Sequence, residues 1–435
     1  MKFFEKIFGS NPPANQPDIR FGRYSDAYHT PARDEAFDRA VDHFEQKRYL
    51  DAYKAFFDYL KNEEEDNVKI REENGTVKFE FFQGSKKITG FGNAQKLYAK
   101  AKIAKAKKLQ ASFMRRLLEK NFELKFCRFT LTPENEITIA FDTYTEDGAP
   151  FKLYAALKEL ATHADKQDDL LLDEFDSLEP AGLYIRRKLP DWEKEVKYNY
   201  IIQQVQAAFD EIDTGQLNHR QYPVAGTYLL LFLCYKLDYL VKPEGYMMET
   251  LERIHRLAYG QDGKNAAQKN QLLRKEFEKL IARPKDLFFK EMYEVTATFG
   301  ITTPIDHQKV KLAIDQELPH AKWYRQHGHD AIAIAIPGFI ASRCLFYFAM
   351  PQPDKDLFHL LLQILEADYF EKLGFQNYCT NGLPNEKKIK KQIREIAARH
   401  RPDYPLLRPD TRLLRFDSMP ELAASFCLMI RELDI

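Results

Sequence analysis

His320, His327, His329 and Asp330 form the densest histidine cluster of the chain. Two imidazoles and a carboxylate, as in His327-Gly328-His329-Asp330, are donors that zinc accepts. The run lacks a further histidine at ligand spacing, and no alternating segment leads into it, so a polar loop between helices accounts for it. An enzyme with a site near His327–Asp330 is one alternative reading. Asp165, Asp168, Asp169, Asp173 and Glu174 form the densest acidic group. On a continuous helix Asp165, Asp169 and Asp173 share a face, and paired carboxylates can hold Mg²⁺ or Ca²⁺. EF-hand and prenyl-transfer spacings are both missing, and a helix starting near Lys166 would gather acids through its dipole. Gly90-Phe91-Gly92 suggests phosphate binding at a helix start. The third glycine of the dinucleotide fingerprint is absent, however, with Lys96 and Leu97 in its neighbourhood. Walker, GxSxG, HExxH and kinase patterns are missing too. No residue is assigned a catalytic, cofactor-binding or metal-binding role, and no cofactor is expected.

Lys96, Lys100, Lys102, Lys105, Lys107, Lys108, Arg115 and Arg116 follow one another with no acid before Glu119. On a helix, at 100° per residue, they point in several directions. Nucleic-acid or nucleotide binding through this Lys-rich helix 96–116, with the basic stretch Lys387–Arg401, is a second alternative. Against it, Lys+Arg and Asp+Glu both number 65, whereas a dedicated binder carries a basic excess because phosphate neutralisation supplies most of its affinity. Cys127, Cys234, Cys344, Cys379 and Cys427 are odd in number and far apart, without a CxxC pair. Thiolate zinc has no support there, and the usage fits a reducing, cytoplasmic setting.

These groups need elements to position them. Residues 1–32 hold Pro12, Pro13, Pro17 and Pro31 and read as a leader, with Phe3, Phe4, Ile7 and Phe8 on a short docking helix. Ala36, Ala40, Phe44, Tyr49, Ala52 and Phe56 are spaced as a helical hairpin. Val68–Glu72 and Thr76–Phe82 flank Asn74-Gly75, a tight-turn dipeptide, and Lys86–Thr89 completes a meander. Asn93–Lys120 lacks Gly and Pro, is rich in Ala, Lys and Leu, and reads as one long helix. Phe122, Leu124 and Phe126 alternate, then shift phase to Cys127, Phe129 and Leu131, which predicts a bulged strand. Ile137, Ile139 and Phe141 form its partner, and a helix carries Leu153, Leu157, Leu160 and Ala164. The fold class is thus α+β: helix, three strands, helix, two strands and helix over residues 33–177, a linker at 178–190, and an all-α region at 191–435. Val224–Tyr235 and Ala331–Met350 are read as core helices and not membrane spans, because the first is short and the second holds Arg343 at a cost of about 2.5 kcal/mol.

Leu117-Leu118-Glu119-Lys120-Asn121, ending the middle helix, is followed by Phe122–Thr132, a turn and Glu136–Asp142. This order resembles the type III secretion chaperone-like fold, shared with YbjN-type regulators, over about a third of the chain. The resemblance implies a non-catalytic domain, homodimerisation, and a partner protein whose extended segment lies over apolar sheet and helix surfaces. Those chaperones are small and acidic, whereas this chain is neutral and carries a large helical extension. The leading expectation is a protein-interaction protein, chaperone-like or adaptor.

Overall fold

Asn74 and Gly75 take positive φ, 50° and 69°, and close the first hairpin with Glu73 facing Thr76. That is the left-handed pair a two-residue turn demands. Around it, a computed structural model describes residues 17–62, 65–182, 184 and 187–435. The hairpin α1 (Pro31–Glu45) and α2 (Tyr49–Leu60) precedes β1 (Val68–Glu73), β2 (Thr76–Gln83), β3 (Lys86–Gly92) and β4 (Lys96–Ala106). Then come α3 (Ala111–Asn121), β5 (Arg128–Leu131), β6 (Glu136–Tyr144) and α4 (Pro150–Glu174). The strands are antiparallel in the order β1-β2-β3-β4-β6-β5. One face packs Phe79, Phe81, Ile88, Leu97, Ile139 and Phe141 with residues of α2 and α4. The expected α+β unit is therefore present.

Three details differ from the sequence reading. The long helix at 93–120 is a strand and a helix. Ala, Lys and Leu favour helix locally, but Leu97, Ala99 and Ala101 alternate with Tyr98, Lys100 and Lys102, and sheet neighbours bury the first set completely. Period-two burial outweighs intrinsic propensity here. Gly90-Phe91-Gly92 accordingly lies inside β3, and Gly92 leaves room for the Tyr53 ring. The second difference concerns 122–131, where only Arg128–Leu131 is strand, and Phe122, expected to face inward, is the C-cap of α3. The bulge is in β4, between Lys102 and Ala104. Third, α4 runs unbroken through Lys166, so no helix start explains the acids there.

The stretch read as a linker holds β7 (Leu178–Pro180), paired with β4, and β8 (Arg187–Lys188). The helical region follows with α5 (Asp191–Thr214), α6 (Pro223–Val241), α7 (Gly245–Tyr259), α8 (Ala266–Ile281) and α9 (Lys285–Lys290). Next are β9 (Tyr293–Glu294), β10 (Thr303–Pro304), α10 (His307–Glu317), α11 (Ala321–Gln326), α12 (Asp330–Tyr347) and β11 (Phe348–Ala349). It ends with α13 (Gln352–Leu365), α14 (Ala367–Lys372), β12 (Cys379–Thr380), β13 (Leu383–Pro384), α15 (Glu386–His400) and α16 (Met419–Arg431). The region is largely helical, and its strands are two-residue ladders joining loops. Val224–Tyr235 lies in α6 and most of Ala331–Met350 in α12. Both helices are long and apolar enough to cross a membrane, and both are mostly buried in the helical core. Gly338 of α12 lies against the Phe232 ring of α6, where any Cβ would collide.

The described part of the leader, from Pro17, packs on the helical region. Gly22 N–H donates to the Tyr239 carbonyl, and Phe21 sits among Tyr239, His359, Phe370 and Phe375. The docking helix expected at Phe3–Phe8 lies outside the described residues.

Candidate interaction site

Phe113 and Leu117 anchor α3 to the sheet core. One residue on, Met114, Leu118 and Phe122 stand at i, i+4 and i+8, a second apolar column beside the first. One column is enough to dock a helix. In the other, Met114 is half-buried against the core, while Leu118 is 63% exposed and Phe122 93%. Phe126 and Leu109 are exposed nearby in sequence. Strand β5 ends the sheet, with no strand on its outer side among the described residues.

The turn between α3 and β5 is held from below. Glu159 of α4 accepts backbone N–H groups of Lys125, Phe126 and Cys127 at 2.8, 2.8 and 2.9 Å. Burial pushes the Glu159 carboxyl up, but these donors outweigh it and hold its pKa below the ordinary value. Asn121 accepts from Phe129 N–H at 2.7 Å and ties the helix end to the strand. The exposed aromatic rings thus stand on a fixed turn.

A cavity of about 1000 Å³ lies where residues 20–24, α4 and α7 meet. Arg23 forms a fork on Asp238, at 2.8 and 2.6 Å, and reaches Glu252 at 3.1 Å. Lys166 lies 2.6 Å from Glu249 and 2.9 Å from Glu252. Burial disfavours the charge on Lys166, but the two glutamates outweigh it and raise its pKa. Burial likewise pushes Glu252 up, while Arg23 and Lys166 bring it below its ordinary value. Arg256 adds contacts to Glu249 and Glu252. These cations are already neutralised, so this wall of the cleft clasps α4 to the helical region.

The sequence candidates are scattered. Asp165 accepts the Ser85 N–H at 2.7 Å, beneath the β2–β3 turn, where Gly84 has φ +53° and no room for a Cβ. Glu174, at the end of α4, lies 3.5 Å from Arg116 of α3. His327 stacks on Trp323 at 4.4 Å, and its Nδ1 lies 2.8 Å from the Trp323 carbonyl, one helical turn back. His329 lies 5.6 Å from the same ring, and Asp330 opens α12. Among the described residues, no three His, Cys, Asp or Glu side chains come together to hold a metal. Cys127, Cys234, Cys344 and Cys427 are buried thiols and Cys379 is half-buried. The α3 column escaped the sequence reading, although two adjacent apolar columns on one short helix are a visible signal.

No protein-family model matches this chain, and a search of curated proteins returns no match.

Proposed function

We propose that this is a non-catalytic interaction protein, chaperone-like or adaptor, whose α+β unit receives another protein on the flank formed by α3 and the β5 edge. The observation that carries the reading is the exposed pair Leu118 and Phe122, fixed beside an edge strand. Exposed apolar groups gathered on one flank mark contact surfaces. An edge strand offers main-chain hydrogen bonds to an extended segment, while side-chain pockets supply selectivity. The likeness of the element order to secretion chaperones points the same way, towards a partner's extended segment or a second copy of the chain. The cytoplasm, where free thiols persist, is the setting proposed for it.

The test is the double variant Leu118→Glu/Phe122→Glu. Both residues are exposed, so the unfolding midpoint should stay within about 0.5 kcal/mol of wild type. Light scattering across a concentration series, and affinity capture from the native cell, should show loss of the dimer or of one specific captured protein. A wild-type chain that stays monomeric and captures the same proteins as the variant would refute the reading.

A further inference from the structure

The face of the sheet turned away from the helices carries a different surface. Splitting 93–120 into strand and helix aligns lysines that a single helix would scatter. Lys96, Tyr98, Lys100 and Lys102 alternate outward on β4, and the bulge after Lys102 returns Lys105 to the same face, opposite Glu136. Register then builds rows across the sheet. Arg71 faces Lys78, Lys78 faces Phe91, Phe91 faces Tyr98, and Lys96 faces Tyr144. Phe91 and Tyr98 have ring centroids 5.9 Å apart, with the Lys96 ammonium 5.8 Å from the Phe91 ring. Tyr144 is 76% exposed. Thr89 and Ala140 flank Lys100, so the centre of the face is shallow.

The acids on this face are engaged. Glu80 pairs with Lys87, Glu136 with Lys102, Asp142 with Arg128, and Glu73 with Arg71 and Lys78. Lys96, Lys100 and Lys105 have no ion pair among the described residues. What remains is three cations without an ion pair on one strand, beside three aromatic rings, with Glu136 and Glu179 the cross-strand neighbours of Lys105.

We infer that this sheet face binds single-stranded nucleic acid, with Phe91, Tyr98 and Tyr144 stacking bases and Lys96, Lys100 and Lys105 meeting phosphates. Cations alone would suit any polyanion. The rings decide the class, since unpaired bases have exposed π-faces that stack on aromatic side chains. A duplex hides those faces, and a sheet face presents no helix or ribbon to enter a groove. This site is separate from the α3 flank and stands whether or not that flank binds protein.

The test uses the full chain and 5′-labelled 20-mers of U and of dT, read by fluorescence anisotropy from 50 to 300 mM salt. Binding should weaken with salt at a log–log slope near −2, about −0.7 for each of three phosphate contacts. Lys96→Glu/Lys100→Glu should cut affinity at least tenfold and flatten the slope by about 1.4. Tyr98→Ala should cut affinity about tenfold with the slope kept, and Leu118→Glu/Phe122→Glu should change nothing. The lysine variant alters only surface groups, so it decides the matter even if Tyr98→Ala misfolds. Absence of binding at 50 mM salt, duplex binding equal to single-strand binding, or equal displacement by polyglutamate would each overturn the assignment, the last in favour of an acidic protein segment.

Discussion

On α3 the α+β unit holds apolar groups outside, and the core of the helical region holds charges inside. Leu118 and Phe122 face solvent on α3. In the helical core, Lys236 of α6 lies 2.7 Å from Glu366 and 2.5 Å from Gln204 of α5, with its ammonium 4.5 Å from the Phe232 ring. His307 and Asp354 meet at 2.9 Å in full burial. Each inversion has a physical meaning. An outward apolar column gains nothing for the folded monomer and is useful only against a partner. An inward ion pair is no better than a well-packed hydrophobic pair, yet it penalises every packing that separates its members. The first region presents surfaces, and the second fixes one arrangement of helices.

The sharpest break of that contrast is Lys236→Met. It strands the buried Glu366 carboxylate and should cost about 3–5 kcal/mol in urea unfolding. The double variant Lys236→Met/Glu366→Gln should recover much of that loss, because the uncompensated charge is gone. If the single change is harmless, the interior pair does not fix the helices.

Acid should separate the regions next. Burial depresses the His359 imidazole to about 4, from an ordinary 6.5. Between these values the unfolded chain takes up a proton that the folded chain refuses. The stability His359 contributes is therefore full above pH 6.5 and lost as pH falls towards 4. His219 and His255, also in the helical region, are lowered by burial in the same direction, as is His163 on α4. The urea midpoint should fall from pH 7 to pH 5, and His359→Asn should reduce that fall. An unaltered pH slope in the variant would assign the effect to the other histidines.

Gly75→Val probes the α+β unit with the smallest expected loss, about 1 kcal/mol, from forcing positive φ on a branched residue. Nothing lies within 4 Å of a Cβ there, so backbone strain alone is measured. A midpoint equal to wild type would show that the turn relaxes to another type.

Legibility followed the range of the forces. Pro223 and the αL residue Lys242 bracket α6, whose apolar run was plain in sequence. Asn74-Gly75 and the Ile137–Phe141 alternation were equally local signals. The segment 93–106 misled because Ala and Lys favour helix while the sheet on both sides of β4 decides for strand. Phe122 misled because alternation with Leu124 and Phe126 imitates a strand, whereas Glu159, over thirty residues away in sequence, holds the turn. The acids at 165–174 looked like a unit on paper. Asp165 is spoken for by the β2–β3 turn, and no local pattern announces a contact 80 residues distant. The outer lysine face became visible only once the strand was known.

The seating of the leader has a consequence in time. Arg23 grips Asp238 across 215 residues, and Phe21 needs Phe370 and Phe375 around it. A chain made from its N-terminus at about 5–20 residues per second therefore carries this strap unseated while the helices and strands after it are made, and the α+β core itself waits for Phe299. The strap reaches its place only when the last third of the chain has emerged. Residues 21–23 are thus among the last parts to settle, although they precede in sequence everything they hold.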